Sequence, residues 1–463
     1  MTPAERVVRA ATRAYGETVT EIPPLELTAA ARPGERHVRP RRRRRFPAWL
    51  APVAAAVAVV ALAVSLVIVR NISAPPAPAA GGVPRYYAAL VPQPPQGFQN
   101  KLVVGNTLTG GRLATLTPPR GNSFSVVTAA ADDRTFVVAA QPIYDGAADK
   151  QFPARTWYLL RIAPGTSSQA RLTRLPTLPD LKGAYLLAVA LSGSGREIAV
   201  GFIPNYATSP QSPVQVRVYS VTTGNLERAW STSDQTVFGG PGRDAAGNGP
   251  PTTALTWVDD DRALAFPTIS AASDPRTHQD VMHETVRLLD MSADGGDLIA
   301  DSRVIWSTQR ESVPVTDQHG QLSCVNNLSI FPILTADGKT IVCAALRSPN
   351  PQGTIPGAGP LTLAWLAYST SAPTVARTLA QVTVGAPSPT TPATPAIDLL
   401  WADSSGGTLI GTWTLDTAVA LSGGGSSQNS PQAHRPHWGV ISDGKFRPLT
   451  TMGDLNNYSA IAF

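Results

Sequence analysis

The chain has 463 residues and a formal net charge of +6, with 15% charged residues, 43% hydrophobic residues and two cysteines. Residues 1–70 hold twelve arginines and five glutamates, so this segment carries about +7 and the rest of the chain about −1. The basic character is confined to the N-terminal segment, which gives residues 71–463 no electrostatic basis for binding nucleic acid.

The first segment in chain order, residues 1–45, is predicted to be an arginine-rich cytoplasmic tail with a short helix over residues 3–20. Small and apolar residues recur there at helical spacing and form one narrow face, made of Val7, Ala11, Ala14 and Tyr15. Such a face is too small to keep a helix folded by itself, so we expect it to dock on a cytoplasmic partner. A solvated tail with a transient helix is the alternative.

Residues 46–70 are predicted to form a transmembrane helix. No charged side chain occurs before Arg70 in this stretch, and about 20 apolar residues suffice to cross a bilayer. Positive residues before a span stay on the cytoplasmic side, and Trp49 suits the inner interface. The arginines in question are Arg41, Arg42, Arg43, Arg44 and Arg45. We therefore expect a single-pass protein in the cell membrane, with a cytoplasmic N-terminus and an extracytoplasmic C-terminal domain.

Two alternatives to this anchor are a cleaved signal peptide and a helix of a soluble core. Ala77-Pro78-Ala79 has the form of a processing site. The apolar stretch is nevertheless longer than the roughly 7–15 residues of a signal peptide, and a core helix would be shorter or interrupted by polar residues.

Residues 71–84 form a Pro/Ala/Gly linker, and residues 85–463 are predicted to be one extracytoplasmic domain built from a repeat. Each repeat begins with two apolar strands joined by a tight polar turn. These turns lie near residues 134, 196, 262, 339 and 407, and a second hairpin follows each of them. Four strands and about 62–77 residues per repeat make a unit the size of a propeller blade.

The opening repeat has only three strands, because a lone strand at 85–91 precedes the hairpin at 101–116. The chain ends with another lone strand, at 458–463. Pairing the two completes a sixth unit and removes the unpaired edges of an open stack. The sequence therefore predicts an all-β fold, a six-bladed β-propeller closed by the C-terminal strand and preceded by one transmembrane helix and a short cytoplasmic tail.

Two resemblances extend this interpretation. The turns at 192–196 and 335–339 resemble the S-P-D-G-[RK] turn of TolB-type and other WD-like propellers, which implies a binding platform for protein or small ligands. The first 70 residues resemble actinobacterial single-span membrane proteins associated with sigma factors, which implies a cytoplasmic regulatory partner. The tail departs from the zinc motif of many anti-sigma domains, because it has no cysteine and only one histidine, His37.

The chain contains no nucleophile elbow, glycine-rich phosphate loop or H-E-x-x-H zinc motif, and we predict no catalytic residue, cofactor or metal site. Three groups carry side chains that could bind a metal or a ligand. His278 with His283-Glu284 and the run Asp259–Asp261 carry metal-ligand chemistry, and His434 with His437 are candidates for a ligand pocket. Ordinary loop, strand and turn positions are the preferred interpretation of all three.

Cys324 and Cys343 are the two cysteines, and both lie after the predicted span. An even count in an oxidising compartment favours a disulfide between them. Hairpin register opposes it, because a turn at 337–338 pairs Cys343 with about Phe331. The loop at 318–327 must therefore fold back for the sulfurs to meet.

The sequence thus predicts a non-enzymatic single-span membrane sensor or scaffold. Its outer propeller binds a protein or envelope ligand, and its tail regulates a cytoplasmic partner such as a sigma factor. The alternative is an extracytoplasmic propeller enzyme, a lyase or glycosidase acting on envelope polysaccharide. Close carboxylates or clustered histidines in the central funnel would favour the enzyme, and an apolar funnel would favour the scaffold.

Overall fold

The computed structural model describes residues 82–93, 99–143, 152–163, 169–206, 208–239, 255–273, 280–311, 332–347, 361–384, 393–417, 437–449 and 458–463. The predicted tail, the predicted span and linker residues 71–81 lie outside these ranges. The chain divides into two compact units, Met1–Ile72 and Ser73–Phe463, and every described residue belongs to the second. Within the described ranges we find no helix with the length and apolar character to cross a membrane.

Every regular element in the described ranges is a β-strand. The first are β1 (Tyr86–Pro92), β2 (Asn100–Asn106), β3 (Arg112–Leu116), β4 (Asn122–Ala129), β5 (Thr135–Pro142), β6 (Thr156–Ile162), β7 (Ala170–Leu175), β8 (Tyr185–Leu191), β9 (Glu197–Ile203), β10 (Val214–Ser220) and β11 (Leu226–Thr232). Next are β12 (Thr256–Val258), β13 (Ala263–Ser273), β14 (Asp280–Asp290), β15 (Gly296–Asp297), β16 (Ser302–Glu311), β17 (Ile333–Leu334) and β18 (Thr340–Arg347). The last are β19 (Leu361–Ser369), β20 (Ala372–Val384), β21 (Ala393–Ala402), β22 (Leu409–Thr417), β23 (His437–Ser442), β24 (Lys445–Pro448) and β25 (Ala460–Ala462).

These strands assemble into six sheets, which we number as blades 1 to 6 in chain order. Blade 1 has the order β25-β1-β2-β3, blade 2 β4-β5-β6-β7 and blade 3 β8-β9-β10-β11. Blade 4 has the order β12-β13-β14-β16, blade 5 β17-β18-β19-β20 and blade 6 β21-β22-β23-β24. The fold is therefore the predicted all-β, six-bladed propeller.

The predicted closure of the ring is confirmed. β25 pairs antiparallel with β1, matching Ala88 with Ala462, Ala89 with Ile461 and Leu90 with Ala460. The last strand of the chain is thus the first strand of blade 1, and its backbone groups cover an edge that β1 would otherwise expose.

The hydrophobic core lies between the blades. One cluster of buried apolar side chains fills each of the six junctions between neighbouring blades, including the junction of blade 6 with blade 1. Inner strands are covered on both faces, so β8 and β9 are buried at nearly every position, whereas the outer strand β7 alternates between half-buried and exposed residues. This explains why the inner strands are continuous apolar runs in the sequence.

Blade 4 departs from the predicted simple hairpin between its third and fourth strands. The connection from β14 to β16 contains β15, which pairs in parallel with β11 of blade 3 by matching Trp230 with Gly296. Gly295 has a φ of 110° and lies so close to the carbonyl of Ala229 that no side chain fits there. The connection therefore covers the outer edge of blade 3 and joins it to blade 4.

Candidate functional site

The turns of the inner hairpins gather at one end of the propeller, which we call the inner-turn face. Backbone hydrogen bonds join the turn of blade 2 to that of blade 3, the turn of blade 4 to that of blade 5, and the turn of blade 5 to that of blade 6. Ala131 N donates to Gly193 O at 3.1 Å, Asp259 N to Ala336 O at 2.7 Å and Asp337 N to Ser404 O at 3.3 Å. These bonds connect the turns of blades 2 and 3 to each other, and likewise the turns of blades 4, 5 and 6, around the channel.

Aspartates in these turns have a structural role. In blade 2, Asp132 Oδ1 accepts the N–H groups of Arg134 at 3.0 Å and Thr135 at 2.8 Å. Asp337 Oδ1 accepts Lys339 N at 3.0 Å in blade 5, and Asp403 plays the same part in blade 6. A side-chain oxygen that accepts a backbone N–H two residues later stabilises a tight turn, which explains the aspartates of the WD-like turn pattern.

The turn of blade 4 has an unusual backbone. Asp259, Asp260 and Asp261 have φ values of 54°, 53° and 68°, so three successive residues are left-handed. Aspartate adopts this conformation more readily than most residues because its short polar side chain bonds locally. Here the side chain also bonds to the neighbouring blade 3, because the Asp261 carboxylate accepts Gly193 N at 2.6 Å and Ser194 N at 2.9 Å.

The central channel is a cavity on this end of the molecule. It has a volume of about 210 Å³ and is bounded by the innermost strand of each blade. Its wall is apolar, and each blade contributes at least one such residue: Val127, Ala190, Trp257, Leu334, Trp401 and Ile461. The Trp257 indole Nε1–H donates to Ala190 O at 3.0 Å, so its polar atom is satisfied. Among the described wall residues there is no aspartate, glutamate or histidine side chain.

A larger cavity, which we call the blade 3–4 groove, has a volume of about 780 Å³. Its apolar wall includes Ala263, Leu288, Met291 and Ala300. The turn of blade 4, the connection containing β15 and the outer strand of blade 3 supply its charges. Its aspartates are Asp259, Asp261, Asp290 and Asp301, and its arginines are Arg228, Arg262 and Arg303.

These seven charges do not neutralise one another, since no groove aspartate lies within ion-pairing distance of a groove arginine in the part of the chain that the structure describes. Arg228 Nη1 instead lies 3.6 Å from Glu197 Oε1. Burial raises the pKa of Glu197, against the lowering effect of Arg228. Hydrogen bonds from the backbone and side chain of Ser292 lower the pKa of Asp290 and keep this carboxylate charged.

The opposite end of the propeller carries an aromatic cluster between blades 2 and 3. The rings of Phe152, Tyr185 and Tyr206 lie 4.9–5.4 Å apart. Nearby, Arg155 is only 8% exposed and its Nη1 donates to Ala184 O at 3.4 Å. Burial lowers the pKa of Arg155 to about 10, so the guanidinium remains charged at neutral pH.

The structure places only some of the residues singled out from the sequence. The tail residues Val7, Ala11, Ala14 and Tyr15, and the topology residues Arg41–Arg45 and Trp49, lie outside the described residues, as do Cys324, His278 and His434. Cys343 is buried in β18, and its disulfide with Cys324 stays a prediction. The register of β17 and β18 matches Ile333 with Val342, which places Cys343 opposite Pro332, one residue from the predicted Phe331.

The remaining candidates lie apart from one another. His283 and Glu284 are neighbours in β14, where Glu284 is fully buried. His437 is exposed at the start of β23, and Trp438 packs in the junction of blades 6 and 1. Within the described ranges, no group of three or more histidine, cysteine, aspartate or glutamate residues is arranged to hold a metal ion.

The blade 3–4 groove was not predicted from the sequence, because its charges come from separate elements. The sequence pattern favours a solvated turn over a cation site for Asp259 and Asp261, and it predicts an ordinary hairpin for the segment that contains Asp290, Asp301 and Arg303. The one available signal was the glycine pair at 295–296 between aspartates, which marks an irregular connection.

Comparison with known proteins supplies no family for the chain. No protein-family model matches it, and no curated protein matches it either. Solved structures with the same kind of fold do match at low identity, and the fold defines a β-propeller protein with WD-like repeats.

Three of these structures illustrate the range of proteins that match the fold. Prolyl oligopeptidase B from Galerina marginata is 10% identical with a TM-score of 0.30, over 79% of this chain and 40% of that one. The propeller domain of the Trilobed protease from Pyrococcus furiosus is 7% identical with a TM-score of 0.33, over 78% of each chain. The WD40 domain of SCAP from fission yeast is 10% identical with a TM-score of 0.25, over 71% of this chain and 87% of that one. Similarity at this level concerns the fold and carries no argument about function.

Proposed function

We propose that the chain is a non-enzymatic binding scaffold whose propeller holds a protein or envelope ligand outside the cell membrane. The observation that supports this proposal is the apolar wall of the central channel. Glycoside hydrolysis uses two carboxyl groups roughly 5–9.5 Å apart at the scissile bond, whereas the described channel wall presents side chains suited to packing. Recognition through the surface of the inner-turn face fits this chemistry better than bond cleavage in the channel.

A second candidate is an extracytoplasmic lyase or glycosidase acting on envelope polysaccharide. The observation that favours it is the presence of four aspartates in the blade 3–4 groove. Asp261 is held by two N–H groups of the neighbouring turn, which suits a structural role, but Asp259 and Asp301 remain available to a substrate.

An activity assay separates the two candidates. The purified full-length chain is incubated with isolated envelope polysaccharide, and new reducing ends and unsaturated products are measured alongside retention of the chain on the polymer. For a scaffold we expect no new ends, whether or not the polymer is retained. Release of new ends that Asp259→Asn or Asp301→Asn abolishes would establish the enzyme instead.

We further propose that residues 46–70 anchor the chain in the membrane and that the tail engages a cytoplasmic regulatory protein such as a sigma factor. The support comes from the sequence: an arginine run before an apolar stretch, and a narrow helical face that gains order by docking. The double variant Val7→Asp, Ala11→Asp should abolish co-purification of a cytoplasmic protein from membranes, while a Thr2→Ser control leaves it intact. Failure of the unsubstituted chain to recover any cytoplasmic protein would contradict a regulatory tail.

A further inference from the structure

We infer that the blade 3–4 groove binds an extended polypeptide segment of a partner protein, a segment that carries both a basic and an acidic side chain. This inference rests on the proposed binding function and adds the location of the site and the chemistry of its ligand. Four features of the groove support it: its volume, its unneutralised charges, its hydrogen-bonded walls and the outermost strand of the described blade 4 sheet beside it.

The volume suits a ligand larger than one side chain. About 780 Å³ lies within the range of roughly 300–1,000 Å³ typical of ligand sites. It has room for on the order of 25 water molecules. Because the apolar part of the wall includes the half-buried Leu288 and the exposed Ala300, a ligand that enters the groove also gains apolar contact.

The charges of the groove divide into those already held by the protein and those left for a ligand. Asp261 is bonded to the turn of blade 3, and Asp290 to Ser292. Arg228 faces Glu197. The carboxylates of Asp259 and Asp301 and the guanidinium groups of Arg262 and Arg303 are exposed and make no ion pair with any residue that the structure describes. Two free charges of each sign select a ligand that also carries both signs.

The walls that present these charges are held by hydrogen bonds. Asp259 N donates to Ala336 O at 2.7 Å, which attaches the turn of blade 4 to blade 5. Across the groove, Arg287 Nη2 donates to Ile299 O at 2.8 Å and to Ser302 O at 2.9 Å, and β15 is paired with β11. The charged side chains thus stand on backbone that is ordered before the ligand arrives, which reduces the entropy lost on binding.

The surroundings favour a polypeptide over other polymers. No aromatic side chain lines the groove among the described residues, so it offers no surface for stacking sugars or bases. Its seven charges sum to −1, which disfavours a polyphosphate. β16 begins at Ser302 in the groove wall and is the outermost strand of its sheet. An extended polypeptide can pair its own N–H and C=O groups with such an edge.

The test uses the purified full-length chain and a phage-displayed library of random dodecapeptides. Peptides selected on the chain are synthesised, and their affinities are measured for the unsubstituted chain and for Asp301→Asn and Arg303→Gln. Both positions are exposed, so neither substitution disturbs the core. Asp443→Asn and Arg447→Gln, an exposed pair on blade 6, are the matched controls.

We expect the selected peptides to contain both Lys or Arg and Asp or Glu. Each groove substitution should weaken their binding at least tenfold, and the controls should change it less than twofold. Failure to select any peptide, peptides with charges of one sign, or binding unaffected by the groove substitutions would each overturn the inference.

The outcome for the groove is distinguishable from the outcome for the proposed function. If the chain cleaves a selected peptide and the groove variants lose binding, the groove is confirmed as the binding site and the proposal of a non-enzymatic function is wrong. If the peptides bind the groove variants as tightly as the unsubstituted chain and remain intact, the proposed binding function is supported and the inference about the groove is wrong.

Discussion

At the residue scale, Asp261 joins the turn of blade 4 to the turn of blade 3. Its two carboxylate oxygens accept the N–H groups of Gly193 and Ser194 at 2.6 and 2.9 Å. It does so from a left-handed backbone with a φ of 68°, a conformation that most residues with a Cβ avoid. The hydrogen bonds offset the cost of this conformation, so the same side chain explains both the strained turn and the contact between blades.

We predict that Asp261→Ala lowers the free energy of unfolding by about 2–4 kcal/mol, because a hydrogen bond to a charged group contributes roughly 1.5–3 kcal/mol. Asp261→Asn keeps one acceptor oxygen and tolerates the backbone, so a loss of about 1–2 kcal/mol is expected. Chemical denaturation followed by tryptophan fluorescence measures both. The neighbouring Asp260→Asn is the control, with a change of about 0.5 kcal/mol or less. Equal midpoints for all three variants would contradict the role of Asp261.

The raised pKa of Glu197 predicts that the stability of the fold depends on pH. Burial raises its pKa, Arg228 opposes the rise, and Asp261 and Glu227 add to it. Since the pKa is higher in the folded state, the folded chain binds more protons in the window between the unfolded and folded values, and stability falls as pH rises through that window. The decline should begin near about pH 4.3, the ordinary pKa of glutamate.

We therefore expect Glu197→Gln to lose this part of the pH dependence, so that its stability relative to the unsubstituted chain is greater at pH 7 than at pH 4. Denaturation curves across this pH range provide the measurement, with Asp443→Asn as an exposed control on blade 6. A pH profile identical to that of the unsubstituted chain would show that the burial of Glu197 has no thermodynamic effect.

At the scale of elements, β25 closes the ring through three matched residue pairs with β1. The same C-terminal segment supplies Ile461, in β25, and Phe463, just after it, to the buried cluster at the junction of blades 6 and 1. A single short segment therefore provides both backbone pairing with β1 and apolar contact with blade 6, in the one blade that is built from both ends of the propeller sequence.

Deleting residues 458–463 should destabilise the propeller by several kcal/mol, because each buried backbone group left unsatisfied costs about 1–3 kcal/mol. Ile461→Asp should have a comparable effect by placing a charge in the cluster, and Ser459→Ala on the exposed start of the strand should have little. Thermal unfolding of the full-length variants compares them. A truncated chain that melts like the intact one would contradict closure by β25.

The predicted disulfide concerns a second element, β18, which carries Cys343. If Cys324 joins it, the bond ties a connecting segment to a strand already held on both sides by β17 and β19. Cys324→Ser should then lower the free energy of unfolding by about 2–4 kcal/mol at most and leave the fold intact. Mass analysis of the non-reduced, alkylated chain should find both sulfurs blocked from alkylation, and two alkylated cysteines would exclude the bond.

At the scale of the whole molecule, the prediction of one membrane span places the propeller outside the cytoplasm. A reporter that is active only after export should be active when fused after Arg70 and inactive when fused before Phe46, because the arginine run holds the N-terminus inside. N-terminal sequencing should recover the original N-terminus from the membrane fraction. A secreted form beginning near Gly81 would instead support cleavage after Ala77-Pro78-Ala79.

Much of the fold is predictable from local pattern alone. A hairpin of two strands around an aspartate or glycine turn is recognisable in the sequence as two apolar runs around a polar turn. The number of times this pattern repeats predicts the number of blades. The lone strands at 85–91 and 458–463 are unpaired in sequence, so their pairing follows from the cost of an exposed edge. For these features, the information lies within about 15 residues or in the regular spacing of copies, and no knowledge of tertiary contacts is needed.

The charged groove could be identified only from the tertiary structure. Arg228, Asp261 and Asp301 come from three elements, and only the crossing of β15 onto blade 3 brings them to one cavity. The same holds for the Asp261 carboxylate, whose partners in the turn of blade 3 lie 67 and 68 residues away. Periodicity reports which face of a strand is buried, but the distance between side chains on different blades is set by how the blades pack. The propeller could therefore be predicted from the sequence, whereas its groove became visible only in the assembled ring.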